Sequence, residues 1–86
     1  MNYKVPKHIL HSKLDDEIAI LNLRNGEYYS LNDTGALIWS MICTGDSFDE
    51  ILNSLTSEYD NENNEIKSDL FDLIDELKSN GLVQEI

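Results

Sequence analysis

Few residues in this chain are of a type and spacing that could perform chemistry. His8 and His11 are three residues apart, but zinc would need further ligands that the neighbouring sequence does not supply. We therefore interpret both histidines as surface residues. Cys43 is the only cysteine, and its place at the end of a helical stripe predicts a buried, unreactive thiol. The acidic run at 15–17 lacks the glycine-turned loop of a calcium site and is typical of a polar turn.

Catalysis is not indicated elsewhere in the sequence. There is no glycine-rich phosphate loop and no serine elbow, and most carboxylates fall on helix faces that water would cover in any case. A single cysteine also excludes an intramolecular disulfide and a cysteine-based zinc site. We therefore predict a binding module that is not an enzyme and that uses no metal and no cofactor.

Length and charge narrow the classes of partner. Eighty-six residues, 41% of them hydrophobic, allow one domain that spans 1–86 and buries a modest core. The net charge of −11 would repel nucleic acid. It either keeps a small domain soluble and monomeric or favours a cationic or mixed-charge peptide as partner.

No apolar run reaches the ~20 residues of a membrane span. The first residues also lack the apolar core of a secretion signal, so we expect a cytoplasmic protein without a membrane partner.

A binding surface would have to be positioned by three strands in the first third of the chain. Met1–Lys7 contains the only proline and is predicted to be an extended arm. Alternating or apolar stretches predict strands over His8–Leu14, Glu17–Leu23 and Glu27–Leu31. Asn25-Gly26 between the last two favours a two-residue hairpin turn, because both positions tolerate positive φ.

Pairing across that turn would make both faces of the sheet apolar. It would place Leu23 opposite Tyr28 and Ile20 opposite Leu31. One face would then carry Ile18, Ile20, Tyr29 and Leu31, and the other would carry Ala19, Leu21, Leu23 and Tyr28. A small antiparallel sheet usually has one solvated face. Either something covers the second face or that face meets a partner.

Helical periodicity begins after the third strand. The predicted helices are Asp33–Cys43, a second from Ser47 to about Glu58, and a third from about Glu65 to Asn80. Asn32 or Asp33 can cap the first helix, which contains Trp39 as its largest anchor. Ser47 and Glu50 form a capping box. Tyr59–Asn64 is predicted to be a polar loop, and Leu82-Val83 a short extended return after Gly81.

The third helix has one apolar face between two polar flanks. The apolar face carries Ile66, Leu70, Leu73, Ile74 and Leu77. One flank carries Asp69, Asp72 and Glu76, and the other carries Lys67, Phe71 and Lys78. Because this helix needs core contacts of its own, we expect about half of Leu70, Leu73, Ile74 and Leu77 to be mainly core.

Three stretches of the sequence together resemble the PqqD-like family of peptide-recognition domains, which serve pathways for ribosomally made peptide natural products. They are YYSLNDTGALIW, SFDEIL after a glycine-containing break, and DLFDLIDELKSNGLV. The resemblance covers nearly the whole chain. The form TGALIW is most similar to the stand-alone version from lasso-peptide pathways.

This resemblance implies an α+β, winged-helix-like fold with a three-stranded antiparallel sheet followed by three helices. It also implies a non-catalytic role, in which the domain captures the leader segment of a precursor peptide. The domain then presents the leader to a leader peptidase or another maturation enzyme. In the family the leader adds as a strand to the third strand and lies in a cleft against the third helix.

Carried onto this sequence, the resemblance predicts a set of peptide-binding residues on the third strand and the third helix. They are Glu27, Tyr28, Tyr29, Ser30, Leu31, Asp69, Leu70, Leu73, Ile74, Glu76 and Leu77. Tyr29 and Leu31 are expected to bind through their backbone while their side chains join the core. Tyr28 is the expected exposed aromatic contact. The prediction depends on a third-strand edge that the N-terminal arm does not fill and that lies beside the third helix.

Three other functions are consistent with the same pattern. The chain could serve another peptide-modifying enzyme, such as a radical SAM enzyme. It could be a winged-helix DNA-binding regulator, although the predicted third helix is acidic. It could also be a structural subunit that docks on an enzyme through the second sheet face.

Overall fold

The structure is a computed structural model that describes residues 1–58 and 63–86. Its elements in chain order are β1 (Tyr3–Lys4), β2 (Ile9–Leu14), β3 (Glu17–Asn22), β4 (Tyr28–Leu31), α1 (Asp33–Cys43), α2 (Phe48–Glu58), α3 (Asn63–Ser79) and β5 (Gln84–Glu85). Antiparallel β2, β3 and β4 form one sheet in that order. The predicted α+β class, with a three-stranded sheet followed by three helices, is therefore confirmed.

The chain ends form a second, two-stranded ribbon that the sequence did not predict. β1 pairs with β5, with Tyr3 opposite Glu85, and the backbone N–H of Ile86 donates to the carbonyl of Asn2 at 2.9 Å. Leu82 and Val83, predicted as an extended return, are buried in the core just before β5. The predicted N-terminal arm is therefore held against the C-terminus.

The predicted register between β3 and β4 was wrong by two residues. Leu21, and not Leu23, lies opposite Tyr28, and Ile18 lies opposite Leu31. The reason is a loop over 23–26, which replaces the predicted two-residue turn at Asn25-Gly26. In this loop the N–H of Gly26 donates to the carbonyl of Asn22 at 2.8 Å.

The two-residue hairpin turn lies instead between β2 and β3, where Leu14 is opposite Glu17. Asp15 adopts a positive φ of 57° there, which aspartate tolerates better than most residues. The polar turn predicted at 15–17 is thus confirmed in its position. The shift of two residues between β3 and β4 moves no side chain to the other face, because strand side chains alternate with a period of two.

Helices cover one face of the sheet, and none of the described elements covers the other. Ile18 and Ile20 are buried, and Tyr29 and Leu31 pack partly buried against the same core. Leu10 and Tyr28 on the opposite face are exposed. The predicted division of the faces is therefore confirmed.

Helix bounds agree closely with the predictions because the capping signals are local. Asn32 caps α1, with its Oδ1 accepting from the N–H of Gly35 at 3.0 Å. The capping box at α2 is also formed. The N–H of Ser47 donates to Glu50 Oε1 at 2.9 Å, and the N–H of Glu50 donates to Ser47 Oγ at 3.2 Å. α3 begins at Asn63, slightly earlier than predicted, and the rest of the predicted loop, 59–62, lies outside the described residues.

The capping box gives a testable pH dependence. Hydrogen bonds from the backbone and side chain of Ser47 lower the pKa of Glu50 from its ordinary value of 4.5. A lowered folded-state pKa stabilises the fold above about pH 4.5, and this contribution is lost as the pH falls through the folded-state pKa. We expect the Tm advantage of the wild type over Glu50→Gln to be constant between pH 7 and pH 5 and to shrink towards pH 3. An equal Tm difference at pH 7 and pH 3 would contradict this.

The core is centred on Trp39, which is fully buried and meets the ring of His11 edge-on at 5.9 Å between centroids. The same core cluster includes residues from every helix, among them Ile42, Ile51 and Leu70. The role predicted for Trp39 as the anchor of α1 is confirmed.

Cys43 is exposed, so the prediction of a buried thiol was wrong. It is the last residue of α1, one position past buried Ile42, and the helix turns it away from the core. Partial desolvation nevertheless raises the pKa of the Cys43 thiol. Because the thiolate is the nucleophile, we expect iodoacetamide to alkylate Cys43 more slowly at pH 7 than it alkylates free cysteine. Mass spectrometry of a time course would measure this, and a faster rate than for free cysteine would contradict it.

Candidate functional site

β4 forms an open edge of the three-stranded sheet. β3 lies on one side of β4, and no described strand pairs with its other side. The N-terminal arm pairs with β5 and leaves this edge unfilled. A strand whose backbone groups are unpaired can receive a further strand from another chain.

Hydrogen-bond alternation identifies the unpaired backbone groups of β4. The N–H of Asn22 donates to the carbonyl of Glu27 at 3.0 Å, so this pair is hydrogen-bonded. Bonded and non-bonded pairs alternate in antiparallel strands, which makes Tyr29 the next residue to bond towards β3. The N–H and C=O groups of Tyr28 and Ser30 therefore point away from β3, towards the open edge. Those of Tyr29 and Leu31 point towards β3, so the expectation that these two residues bind through their backbone was wrong.

A groove of about 560 Å³ begins at the end of β4 and extends to α3. Its lining comes from β4, the start of α1, α2 and α3, and comprises Ser30, Leu31, Asn32, Thr34, Gly35, Ile38, Leu55, Ile66, Asp69, Leu70 and Leu73. The buried members are apolar, whereas Ser30, Asn32, Thr34 and Asp69 are exposed. The groove thus has an apolar floor and a polar rim.

The structure brings five of the predicted site residues to this groove: Ser30, Leu31, Asp69, Leu70 and Leu73. Leu70 is fully buried and belongs to both the core and the groove floor. Ile74 and Leu77 are buried in the core and do not line the groove. Three of the four α3 side chains, Leu70, Ile74 and Leu77, therefore belong to the core, more than the half that was expected, and only Leu73 is partly buried. Glu76 is exposed on α3 outside the groove lining.

The remaining predicted residues lie on or just before β4, outside the groove. Tyr28 is 72% exposed, as expected for an aromatic contact. The hydroxyl of Tyr29 donates to Glu27 Oε2 at 2.7 Å, and this hydrogen bond raises the pKa of the Tyr29 phenol. Glu27 itself precedes the first residue of β4.

Six groove residues were not predicted: Asn32, Thr34, Gly35, Ile38, Leu55 and Ile66. Most of them belong to the junction of β4 and α1, where a single capping residue joins the strand to the helix. The short junction in the sequence could have predicted these residues, because it forces the first turn of α1 to lie beside the end of β4. Leu55 comes from α2, and nothing in the sequence around it predicts that it lines the groove.

Gly35 explains how closely α1 approaches β4. A Cβ atom at this position would lie 3.1 Å from Cβ of Leu31, tighter than an ordinary van der Waals contact. Glycine therefore lets the first turn of α1 pack directly against the end of the edge strand. The groove wall formed by this contact depends on the absence of a side chain.

Within the part of the chain that the structure describes, neither a cluster of metal ligands nor a membrane-crossing helix accompanies the groove. Over 1–58 and 63–86, no three His, Cys, Asp or Glu residues cluster in a way that could hold a metal ion. Among the same described residues, no helix combines the length and apolarity needed to cross a membrane.

The fold and the site define a class of protein: a small α+β domain with an open sheet edge beside an apolar groove. That combination is suited to binding an extended peptide by strand addition. The family model for coenzyme PQQ synthesis protein D (PqqD) matches residues 17–83, and the chain belongs to this family. The resemblance seen in the sequence is therefore confirmed.

Two solved structures are similar to this one over nearly their whole length. One is TbiB1 in complex with the TbiA(beta) leader peptide, with a TM-score of 0.91, 28% identity, and coverage of 96% of each chain. The other is a lasso peptide synthetase B1 complexed with the leader peptide, with a TM-score of 0.90 and 33% identity. This second match covers 99% of the present chain and 100% of the other. No curated protein matches the sequence.

Proposed function

We propose that this protein captures the leader segment of a ribosomally synthesised precursor peptide by strand addition to β4, and presents it to a leader peptidase in lasso-peptide biosynthesis. The protein contributes binding and orientation, and performs no chemistry itself. One observation carries the proposal: the unpaired edge of β4 borders an apolar groove that ends at α3. Both similar solved structures are complexes with a leader peptide, which supports it.

The open edge supplies affinity that does not depend on the leader sequence. Tyr28 and Ser30 offer backbone donors and acceptors that an incoming strand satisfies. Each net hydrogen bond of this kind contributes about 0.5–1.5 kcal/mol. Several such bonds along one edge hold the leader in a fixed register.

The groove supplies selectivity. Because alternate side chains of a strand point to opposite faces, every second leader residue would point towards the groove. The floor includes Ile38, Leu55 and Leu70, so an apolar leader side chain would be favoured there. Asp69 on the rim would suit a basic neighbour, although exposed ion pairs contribute only about 0.2–1 kcal/mol.

The charge distribution disfavours a DNA-binding role. α3 carries Glu65, Asp69, Asp72, Asp75 and Glu76 against Lys67 and Lys78. A helix of this sign would be repelled by phosphates, whereas DNA-binding domains require a basic face. The maturation enzyme could instead belong to another peptide-modifying class such as a radical SAM enzyme, and the same edge would then hold the leader.

A titration followed by NMR tests the proposal. A ¹⁵N-labelled chain would be titrated with a synthetic leader of the precursor encoded beside its gene. We expect the largest amide shifts at Tyr28 and Ser30 on β4, and at Leu73 on α3. The matched comparison is the opposite sheet edge, β2, whose amides should shift little. Saturating leader without shifts on β4, or with shifts confined to β2, would contradict strand addition at this edge.

A further inference from the structure

β2 forms a second open edge of the three-stranded sheet, on the side opposite to β4. β3 lies on one side of β2, and no described strand pairs with the other side, which we call the β2 edge. Of the described elements, only β3 makes more than a marginal contact with β2. β2 is six residues long, against four for β4, and it contains no proline. An open edge of this length is a template for pairing with another chain.

Hydrogen-bond alternation identifies the free backbone groups of the β2 edge. The N–H of Leu23 donates to the carbonyl of His8 at 2.9 Å, so this pair is hydrogen-bonded. Bonded and non-bonded pairs alternate, which makes Leu10 and every second residue after it bond towards β3. The N–H and C=O groups of His11 and Lys13 therefore point to the β2 edge.

The side chains of β2 divide between the two faces of the sheet. Ile9 is buried in the core, so the odd-numbered residues of this strand lie on the face that the helices cover. Leu10 and Leu14 lie on the opposite face, where they are 50% and 63% exposed. Two exposed leucines therefore flank Ser12 along the β2 edge.

Charges of opposite sign flank β2 along the chain. Lys7 precedes the strand, and the exposed acidic turn at 15–17 follows it. Antiparallel pairing of two copies of β2 about a two-fold axis sets the start of each strand beside the end of the other. Lys7 of each copy then lies beside the acidic turn of the other copy. Parallel pairing would bring like charges together.

One register of this antiparallel pairing is self-complementary. With Ser12 at the two-fold axis, Leu10 of each copy lies opposite Leu14 of the other, with their Cβ atoms about 4.5–5.5 Å apart. His11 then lies opposite Lys13 of the other copy. Because the backbone groups of both residues point outward, these opposed residues form hydrogen-bonded pairs on either side of the axis.

The neighbouring registers lack this complementarity. An axis at His11 would set Leu10 opposite Ser12 and leave the leucines apart. An axis at Leu10 would set Lys13 opposite Lys7 of the other copy, and like charges directly opposite each other destabilise a strand pair. The pattern of side chains along β2 therefore favours the register centred on Ser12.

Net charge opposes association, since each copy carries −11. At about 0.15 M salt, the interaction between exposed charges more than about 8 Å apart is largely screened. Neighbouring charges across the β2 edge lie within that distance and keep their interaction. A single strand pair is also a small interface, below the ~1,200 Å² typical of lasting complexes. The expected association is therefore weak and reversible.

We propose that two copies of this chain associate reversibly through antiparallel pairing of their β2 edges, with Ser12 at the two-fold axis. The product is one continuous six-stranded sheet made from the two three-stranded sheets. Both β4 edges lie at the outer ends of this sheet and stay open. The inference does not depend on what the β4 edge binds.

Sedimentation velocity of the full chain tests this proposal, at about 0.15 M salt and over about 10 μM to 1 mM protein. We expect the weight-average sedimentation coefficient of the wild type to rise from that of a monomer towards that of a dimer. Lys7→Glu sets like charges beside the acidic turn, and Lys13→Pro removes a backbone donor that the dimer uses twice. Each change should raise the dimer Kd at least about fivefold. Circular dichroism should show a native spectrum for both variants.

A mixture of two charge variants tests the register itself. Asp16→Lys also brings like charges together, because the new lysine would face Lys7 of the other copy. Lys7→Glu mixed with Asp16→Lys should form a heterodimer, since both contacts between the copies then join opposite charges. The matched control is Lys67→Glu, which makes the same change in net charge at an exposed position on α3. Its dimer Kd should stay within about twofold of that of the wild type.

Four results would overturn the proposal. The wild type could sediment as a monomer at every concentration. A dimer could persist unchanged in Lys13→Pro, which would place the interface on another surface. Lys67→Glu could weaken the dimer as much as Lys7→Glu, in which case net charge and not the β2 edge controls association. The folded variants Lys7→Glu and Asp16→Lys could remain monomeric when mixed, which would reject the antiparallel register.

Discussion

Ser30→Pro is expected to weaken leader binding by roughly 10- to 100-fold, or about 1.4–2.8 kcal/mol, while the domain stays folded. The N–H of Ser30 points to the open edge of β4 and makes no bond to β3, so its loss does not break the sheet. Proline removes this donor and places its ring where the leader backbone would lie. A leader carbonyl would then be left without a partner. Fluorescence anisotropy of a labelled leader would measure the change.

Two variants make this result specific. Lys13→Pro changes the opposite edge of the sheet, where the N–H of Lys13 points away from β3 by the same alternation. The leader affinity of Lys13→Pro should stay within twofold of that of the wild type. Tyr29→Pro removes a donor to β3 and should unfold the sheet, which circular dichroism would detect. Equal loss of binding in Lys13→Pro and Ser30→Pro would mean that the β4 edge is not the specific site.

Leu73→Asp is the second change with a large expected effect, again roughly 10- to 100-fold on leader affinity. Leu73 lines the groove and is only partly buried, so the fold tolerates its replacement better than that of Leu70. A carboxylate there removes apolar contact worth about 1.5–3 kcal/mol for a fully buried leucine. It also forces a charge to lose water when the leader binds.

Phe71→Asp is the matched control for this change. It makes a comparable apolar-to-acidic replacement on the same helix, at an exposed position outside the groove lining. We expect wild-type leader affinity in Phe71→Asp, and a native circular dichroism spectrum at the assay temperature in both variants, with a lower Tm in Leu73→Asp because Leu73 packs against the core. If both variants bind the leader as the wild type does, the groove takes no leader side chain. If both lose affinity equally, the added charge acts at long range rather than through the groove.

The same few residues belong to the core and to the groove that is proposed to bind the leader. Leu70 lies in the core and on the groove floor, and Leu31 packs partly buried against the core at the end of the edge strand. Gly35 lets α1 approach Leu31 closely enough to form one groove wall. Substitutions at these positions would therefore confuse loss of folding with loss of binding. Substitutions of Ser30 and Leu73 can distinguish loss of binding from loss of folding. The N–H of Ser30 makes no bond to β3, and the side chain of Leu73 is only partly buried.

The sequence by itself determined the features that depend on near neighbours in the chain. The bounds of α1, the cap at Asn32 and the capping box at Ser47 rest on contacts within three residues. The division of the sheet into two apolar faces follows from a period of two, and it survived the error in register for that reason. Three stretches of the sequence together, among them the one around Gly35, resembled the family whose model matches residues 17–83.

Only the tertiary structure decided the features that join distant parts of the chain. Tyr3 pairs with Glu85, and this pairing keeps the N-terminal arm away from β4. The helical period assigned Leu73 and Ile74 to one face, but packing against the rest of the core separated a groove residue from a buried one. Such choices depend on which surfaces meet in the folded chain, and the pattern along a single element does not contain that information.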